Sequence, residues 1–333
     1  MRSRFNRRRF IRIAAATASC GLAGVGAPAF ATEPAAASWR GIAMGSLASI
    51  EVRHSDPARA KALLAAALEE LQRLEAIMSL YRPQSALSTL NRDGILRDPP
   101  FDLVRVLTEA QRFGHLSAGR FDVTVQPLWT VYADHFLKPG ADPKGPAADL
   151  IRKAAALVDY RAIAVDPDEI RFAHPGMQVT LNGIAQGYIT DRIADLFRRE
   201  GLEHALVDLG EIAAVGARDN GRPWTAGIEN PMNRDMLLAD VPLVDAALAT
   251  SGGYGFRFDP AGHFHHLFDP ATGACPQLYA SVSVVAANAT AADALATAAN
   301  LLAPDALERM LRDAGAARAL VIDAEGAKRW LAA

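Results

Sequence analysis

The stretch WTAGIENPMNRDMLLADVPLVDAALATSGG (Trp224–Gly253) decides the fold class. Short apolar runs there are broken by turn chemistry at Asn230-Pro231 and Ser251-Gly252-Gly253, so strand follows strand from Trp224 to Val285. Outward from it, strands also meet helices. Ile42 to Arg53, Ile163 to Phe172, Gln178 to Leu181 and Ala205 to Leu209 read as strands, with a last strand at Ala319 to Ile322. Pro57 to Met78 reads as a long amphipathic helix, because Leu63, Leu64, Ala67, Leu71, Leu74 and Ile77 recur at three and four. Further helices are expected at Asp102 to Leu116, Tyr188 to Glu200, Ala291 to Leu302 and Pro304 to Ala314, and an exposed loop at Pro139 to Pro146. This mixed order argues for α+β architecture rather than a doubly wound sheet. No internal repeat or low-complexity linker interrupts it.

The chain has 333 residues, half of them hydrophobic and 22% charged, which is a globular composition. A net charge of −2, with no long basic run beyond the N-terminus, argues against a nucleic-acid partner. Past the N-terminal segment no run of apolar residues is long enough to span a membrane. Asn6-Arg7-Arg8-Arg9-Phe10-Ile11-Arg12 resembles the twin-arginine export consensus. The apolar stretch from Ile13 to Gly26 and then Ala29-Phe30-Ala31 predict cleavage near Thr32. Residues 1–31 are thus expected to be a signal peptide and 32–333 one domain working in the periplasm. The alternatives are an uncleaved anchor, or lipidation at Cys20, which lacks the usual aliphatic residue before it. Cleavage leaves Cys275 as a lone thiol beside Pro276, with no intrachain disulfide and no adjacent base, so it reads as buried or idle.

Two other stretches carry chemistry. HFHHLFDPATGACP (His263–Pro276) packs three histidines, an Asp-Pro turn and a Thr-Gly turn into one passage. ADALATA (Ala292–Ala298) puts Asp293 and Thr297 one helical turn apart on one face. Hard oxygens of that kind suit magnesium shared with substrate phosphates; the plain alternative is a core helix with an acid near its start. His263 and His265 share one face of an expected strand with His266 opposite, giving two exposed histidines and one functional one; zinc spacing is absent. Leu181 to Tyr188 reads as strand, glycine-spaced turn and helix, a setting for a phosphate, although it is neither the dinucleotide fingerprint nor a P-loop. Tyr81 beyond a helix end could stack on a planar ligand, and Ser85 reads as a helix cap. Gly119 permits close backbone approach to a ligand, whereas Asp122 reads equally as a loop cap.

Taken in order, Met44-Gly45-Ser46, Met78 to Asn91, Gly119 to Thr124, Asn182 to Asp191, Ala249-Thr250-Ser251-Gly252, His266 to Gly273 and Ala292 to Ala298 resemble the family of FAD:protein FMN transferases. The His-x-x-Asp-Pro-x-Thr-Gly and Ala-Asp-Ala-x-x-Thr pieces are the specific ones. The resemblance implies a single ApbE-like, T-fold-like domain of mixed β-sheets with packed helices. It also implies a reaction: FAD is bound with Mg2+, FMN moves to a threonine or serine hydroxyl of another protein, and AMP leaves. It assigns the metal to Asp293, the Thr297 hydroxyl and the Gly183 carbonyl, and transfer assistance to His266. Met44, Tyr81, Arg120, Phe121, Asp122, Thr180, Gln186 and Leu267 fall where the family contacts FAD. Thr180 stands where many members carry an acid, and Gln186 where they often carry Lys or Glu. Acceptors in the family are flavin-bearing subunits of membrane electron-transfer systems, including sodium-pumping and Rnf-type complexes and a regulator of nitrous-oxide respiration. The rival readings are an FAD pyrophosphatase and a non-catalytic flavin-binding protein.

Overall fold

The computed structural model describes residues 35–316 and 318–332; the expected signal peptide and Cys20 lie outside the described residues. Thirteen strands are described: β1 (Ala35–Ala43), β2 (Ser46–His54), β3 (Ile95–Arg97), β4 (Ile163–Val165), β5 (Glu169–Phe172), β6 (His204–Asp208), β7 (Ile212–Val215), β8 (Trp224–Asn230), β9 (Asn233–Leu243), β10 (Ala247–Ser251), β11 (Tyr279–Ala286), β12 (Arg318–Asp323) and β13 (Lys328–Ala332). The helices are α1 (Pro57–Met78), α2 (Ala86–Asp93), α3 (Phe101–Leu116), α4 (Gln126–Phe136), α5 (Ala148–Ala155), α6 (Ala185–Arg199), α7 (Ala289–Ala299) and α8 (Pro304–Asp313).

Eight strands form one antiparallel sheet in the order β1-β2-β6-β7-β10-β11-β12-β13. Side chains alternate across it, and each face has its own cover. One face carries Val52, Val207, Ala249 and Val284, which pack with apolar residues of α1, α6 and α7 in the main core. The other carries Leu206, Ile212, Leu248 and Leu320, roofed by Trp224, Ala226, Ile228, Val241 and Leu243 of the β8–β9 arm. A small sheet β3-β5-β4 stands apart. The expected α+β, single-domain architecture is what the chain adopts.

Local chemistry explains the principal helices. Asp56 caps α1 by accepting the N–H groups of Ala58 and Arg59, with Pro57 in the first turn, and Leu63, Ala67, Leu71 and Leu74 point to the core as their spacing predicts. Ser85 caps α2 by accepting the Ser88 N–H at 3.0 Å. Helix α7 is almost wholly buried and almost wholly alanine and threonine, so its backbone lies close to the sheet and to α6.

Four expectations change, the first being that residues 163–172, expected as a strand, form the hairpin of β4 and β5. The strand expected over residues 42–53 is a hairpin, because Met44 and Gly45 both take positive φ (47° and 77°), as a two-residue β-turn of the type suited to strand twist requires. Residues 178–181 form no strand. Their backbone pairs instead with side chain and loop: Val179 exchanges hydrogen bonds with the Asn91 amide at 2.7 and 2.8 Å, and the Thr180 N–H donates to the Val123 carbonyl at 2.8 Å. Around residues 263–266 the chain is a bent loop with one isolated bridge, Arg257 to His265, so the expected alternation of histidines across a strand does not arise.

Candidate functional site

A cleft opens where α7, the turn before α6, the end of β10 and the loop after residue 263 meet. Its wall includes Arg120, Phe121, Asp122, Thr180, Gly183, His266, Leu267, Asp293 and Thr297, which were separated by up to 177 positions in sequence. With its solvent-filled mouth it encloses about 790 Å³. Through Trp129 and Asn182 it continues into an open groove of about 1150 Å³ carrying Tyr81, whose side chain is 69% exposed. A narrow cleft opening into a long groove suits an elongated ligand.

The acid and hydroxyl on α7 are set by α6. Asp293 Oδ2 accepts the Gly187 N–H at 3.1 Å, so its carboxylate sits at the positive end of α6. Gly187 lets the helices approach that closely: a Cβ there would lie 2.3 Å from the Ala289 carbonyl oxygen. Gly183 packs against the same turn of α7, with a Cβ position 3.0 Å from Thr297 Oγ1. Asp293, Thr297 and the Gly183 backbone therefore gather hard oxygens on one wall, a donor set that fits magnesium completed by phosphate and water oxygens. Among the described residues there is no group of three His, Cys, Asp or Glu placed to hold a metal, so any ion here depends on that mixed set.

The register of α7 is fixed by Asp191 of α6. Its carboxylate accepts the Ala289 and Thr290 N–H groups, both at 2.7 Å, and the Thr290 hydroxyl, and so caps α7 from a neighbouring helix. Burial pushes the Asp191 carboxyl above the ordinary range, against the pull of these donors. Asp191→Asn puts an amide NH2 group against helix N–H donors. We expect it to cost about 2 kcal/mol of stability in urea unfolding; an unchanged midpoint would remove Asp191 from this role.

The second half of the site is the loop that carries His266. The imidazole Nδ1 lies 3.2 Å from the Phe256 carbonyl, which can only accept, so Nδ1 bears the proton and Nε2 of the neutral ring is the basic nitrogen. His265, only 4% exposed, is part of the scaffold: Nε2 donates to the Pro276 carbonyl at 3.1 Å, Nδ1 accepts the Leu267 N–H, and burial lowers its pKa. His263 is exposed. The expected two exposed histidines are thus one exposed and one buried, because the loop turns His265 inward. Asp269 shapes the following turn, accepting the Ala271 N–H through its side chain and the Gly273 N–H through its carbonyl. Cys275 is half-buried, donates to the His265 carbonyl, and is pushed up to about 11 by burial, which matches an idle thiol.

Several of the residues that the resemblance assigns to FAD contact also make hydrogen bonds within the protein. Asp122 lines the cleft, but one oxygen accepts the Thr124 N–H and hydroxyl and the other the Tyr160 N–H, so its carboxylate orders the loop; burial raises its pKa. Arg120 pairs with Asp269 at 2.8 Å, tying the loop after α3 to the His266 loop. Gln186 lies off the cleft wall, donating to the Leu209 carbonyl at 3.0 Å and to Ser46 Oγ at 3.2 Å. Met44 is also off the wall, at the hairpin tip, where its N–H donates to Glu75. Gly119 completes the C-terminal turn of α3, its N–H donating to the Gly114 carbonyl, rather than meeting the cleft. Thr180, Phe121 and Leu267 line the cleft.

The structure adds Trp129, Asn182, Glu211, Thr250 and Ser251 to the wall. Glu211 is the least expected, a carboxylate 2% exposed at the start of β7. The one sequence signal for it is an acid following Asp208-Leu209-Gly210 between two buried strands.

Comparison with known proteins places this arrangement. The FAD:protein FMN transferase of Treponema pallidum (strain Nichols) is 32% identical over 309 residues, covering 84% of this chain and 83% of that protein. Among solved structures, the flavin transferase ApbE of Vibrio cholerae superposes with a TM-score of 0.75 at 26% identity, over 90% of this chain and 98% of that one. The ApbE protein of Thermotoga maritima superposes with a TM-score of 0.78 at 25% identity, over 89% and 97%. The ApbE family model matches residues 44–321, a span that contains the whole cleft, both helices that build it and the His266 loop, and on that extent of agreement the chain belongs to the ApbE family.

Proposed function

We propose that this chain is an FAD:protein FMN transferase. The observation that carries the reading is the meeting, in one cleft, of the hard oxygens of Asp293, Thr297 and Gly183 with the basic nitrogen of His266. The relatives named above support it by their own designations.

The acceptor hydroxyl oxygen forms a bond to the FMN-side phosphorus of FAD, the pyrophosphate bond to the AMP oxygen breaks, and AMP departs with that oxygen. His266 Nε2 takes the hydroxyl proton, with Nδ1–H held by Phe256 so that the ring presents the correct nitrogen. Asp293, Thr297 and the Gly183 carbonyl would hold Mg2+, which neutralises charge building on the pyrophosphate oxygens. The positive end of α6 lies against the same place. The groove beside Tyr81 and Trp129 offers aromatic faces for a flat ring of the dinucleotide.

The acceptor is a protein exposed on the periplasmic side, of the flavin-bearing kind found in Rnf-type and sodium-pumping complexes or in nitrous-oxide respiration. Export by the twin-arginine route follows from Asn6 to Arg12. No helix among the described residues is long and apolar enough to cross a membrane.

The test is mass spectrometry of an acceptor domain after incubation with the mature protein, FAD and Mg2+. Covalent FMN on a threonine or serine, with equimolar AMP, is the expected result. Free FMN and AMP beside unmodified acceptor would instead mean hydrolysis, and intact FAD would mean a carrier. His266→Ala should lower kcat about 100- to 10,000-fold while leaving FAD affinity within twofold; a matching loss of FAD affinity would make His266 a binding residue.

A further inference from the structure

The cleft borders two further depressions. One is the groove of Tyr81, reached past Trp129 and Asn182. The other is a narrow slot that shares Thr250 with the cleft wall. Along β10, Leu248 belongs to the arm-side core and Ala249 to the helix-side core, so alternation turns Thr250 toward the arm. Its hydroxyl lies 2.8 Å from that of Ser283, which keeps it at the junction. The slot's outer wall is the β8–β9 arm, through Gly227, Glu229 and Arg234, with Gly210 and Tyr254 facing them.

We infer that this slot and the adjoining face of the arm receive the acceptor protein, in the form of an extended segment next to its modified hydroxyl residue; the inference rests on the transferase reading above. A transferase needs two substrates in one cleft. The groove side is spacious and aromatic, as a dinucleotide requires, while the slot is narrow and lined by the charged pair Glu229 and Arg234. Arg234 supplies the recognition chemistry. Its Nε donates to Glu229 at 3.2 Å and its guanidinium lies 5.6 Å from the Tyr254 ring centre, but the buried Nη2 has no hydrogen-bond partner. A buried donor of that kind is satisfied by an oxygen, and a peptide carbonyl entering the slot provides one without bringing a second negative charge to Glu229. Beyond the slot the arm shows Met232 and Met236, both more than half exposed. Such flexible thioether side chains adapt to a protein partner. Among the described residues the arm is a two-stranded sheet, so each strand also offers an edge for an extended segment.

The test uses the mature enzyme and the flavin-accepting domain of an Rnf-type complex subunit. Initial rates of FMN attachment are measured against acceptor concentration, and FAD affinity by flavin fluorescence, for wild type, Arg234→Ala and Arg234→Lys. The expected result is an acceptor KM raised about tenfold or more in Arg234→Ala and by less in Arg234→Lys, with the FAD dissociation constant within twofold of wild type. Weakened FAD binding would assign the slot to the dinucleotide and overturn the inference, as would an unchanged acceptor KM. If Arg234→Ala fails to fold because Glu229 keeps a buried charge, Arg234→Lys retains the opposing charge and decides alone. A wild-type enzyme that modifies no acceptor would remove the transferase reading and this inference with it.

Discussion

Asp293→Ala is expected to abolish covalent attachment of FMN, by at least about 100-fold, which is on the order of 2.7 kcal/mol of transition-state stabilisation. Asp293 contributes the only carboxylate of the oxygen set it forms with Thr297 and the Gly183 carbonyl. An alanine leaves one hydroxyl and one carbonyl, too few hard donors to hold a magnesium ion beside two phosphates. The same carboxylate accepts the Gly187 N–H, so part of any loss could be structural. Asp293→Asn separates the two effects, because its amide oxygen still accepts from Gly187 while the charge is gone. Both variants should lose activity, and both should lose the thermal stabilisation that Mg2+ with FAD gives the wild type. If the asparagine variant keeps that stabilisation and most of its rate, the carboxylate is a scaffold group and the metal assignment fails.

Gly187→Ala reverses the ordinary sign of a helix substitution. In an exposed helix interior, alanine for glycine gains about 1 kcal/mol. Here the new Cβ would sit 2.3 Å from the Ala289 carbonyl oxygen, 2.7 Å from its carbon and 2.9 Å from Asp293 Cβ. Two of those atoms are backbone, pinned by the Asp191 cap, so no rotamer change relieves the contact. The helices must separate, and a net destabilisation of roughly 3 kcal/mol is expected. Reversible urea unfolding measures it. A midpoint equal to or above wild type would show that α6 and α7 tolerate separation, and the close approach would no longer explain where Asp293 lies.

Much of the site was readable in advance. Asp293 and Thr297 share a helix face by spacing alone, and helical geometry keeps that relation in any fold. The turn around Asp269 was equally visible, since Asp-Pro and Thr-Gly carry their own local hydrogen bonding. Glu211 was not readable. Its place on the cleft wall comes from how β6 and β7 pack against the rest of the chain, and a single acid between two strands has no period to mark it. Asp122 was readable as a loop cap, which it is, but its bond to Tyr160 and the pairing of Arg120 with Asp269 were not. Whether such a side chain faces a ligand or a neighbouring loop depends on Tyr160 and Asp269, 38 and 149 positions away.

The sequence by itself determined the α+β class, the long α1, the hairpin turn at Asn230-Pro231 of the arm, and the pairing of acid and hydroxyl on α7. Each follows from interactions among residues a few positions apart, which the chain carries wherever it goes. Tertiary structure alone decided the rest. It turned His265 inward and His266 to the cleft, and set Asp293 against Gly187. It also placed Thr250 between the cleft and a slot beneath the arm. Those outcomes depend on long-range packing and on where each buried polar group finds its partner, and neither is written in local spacing.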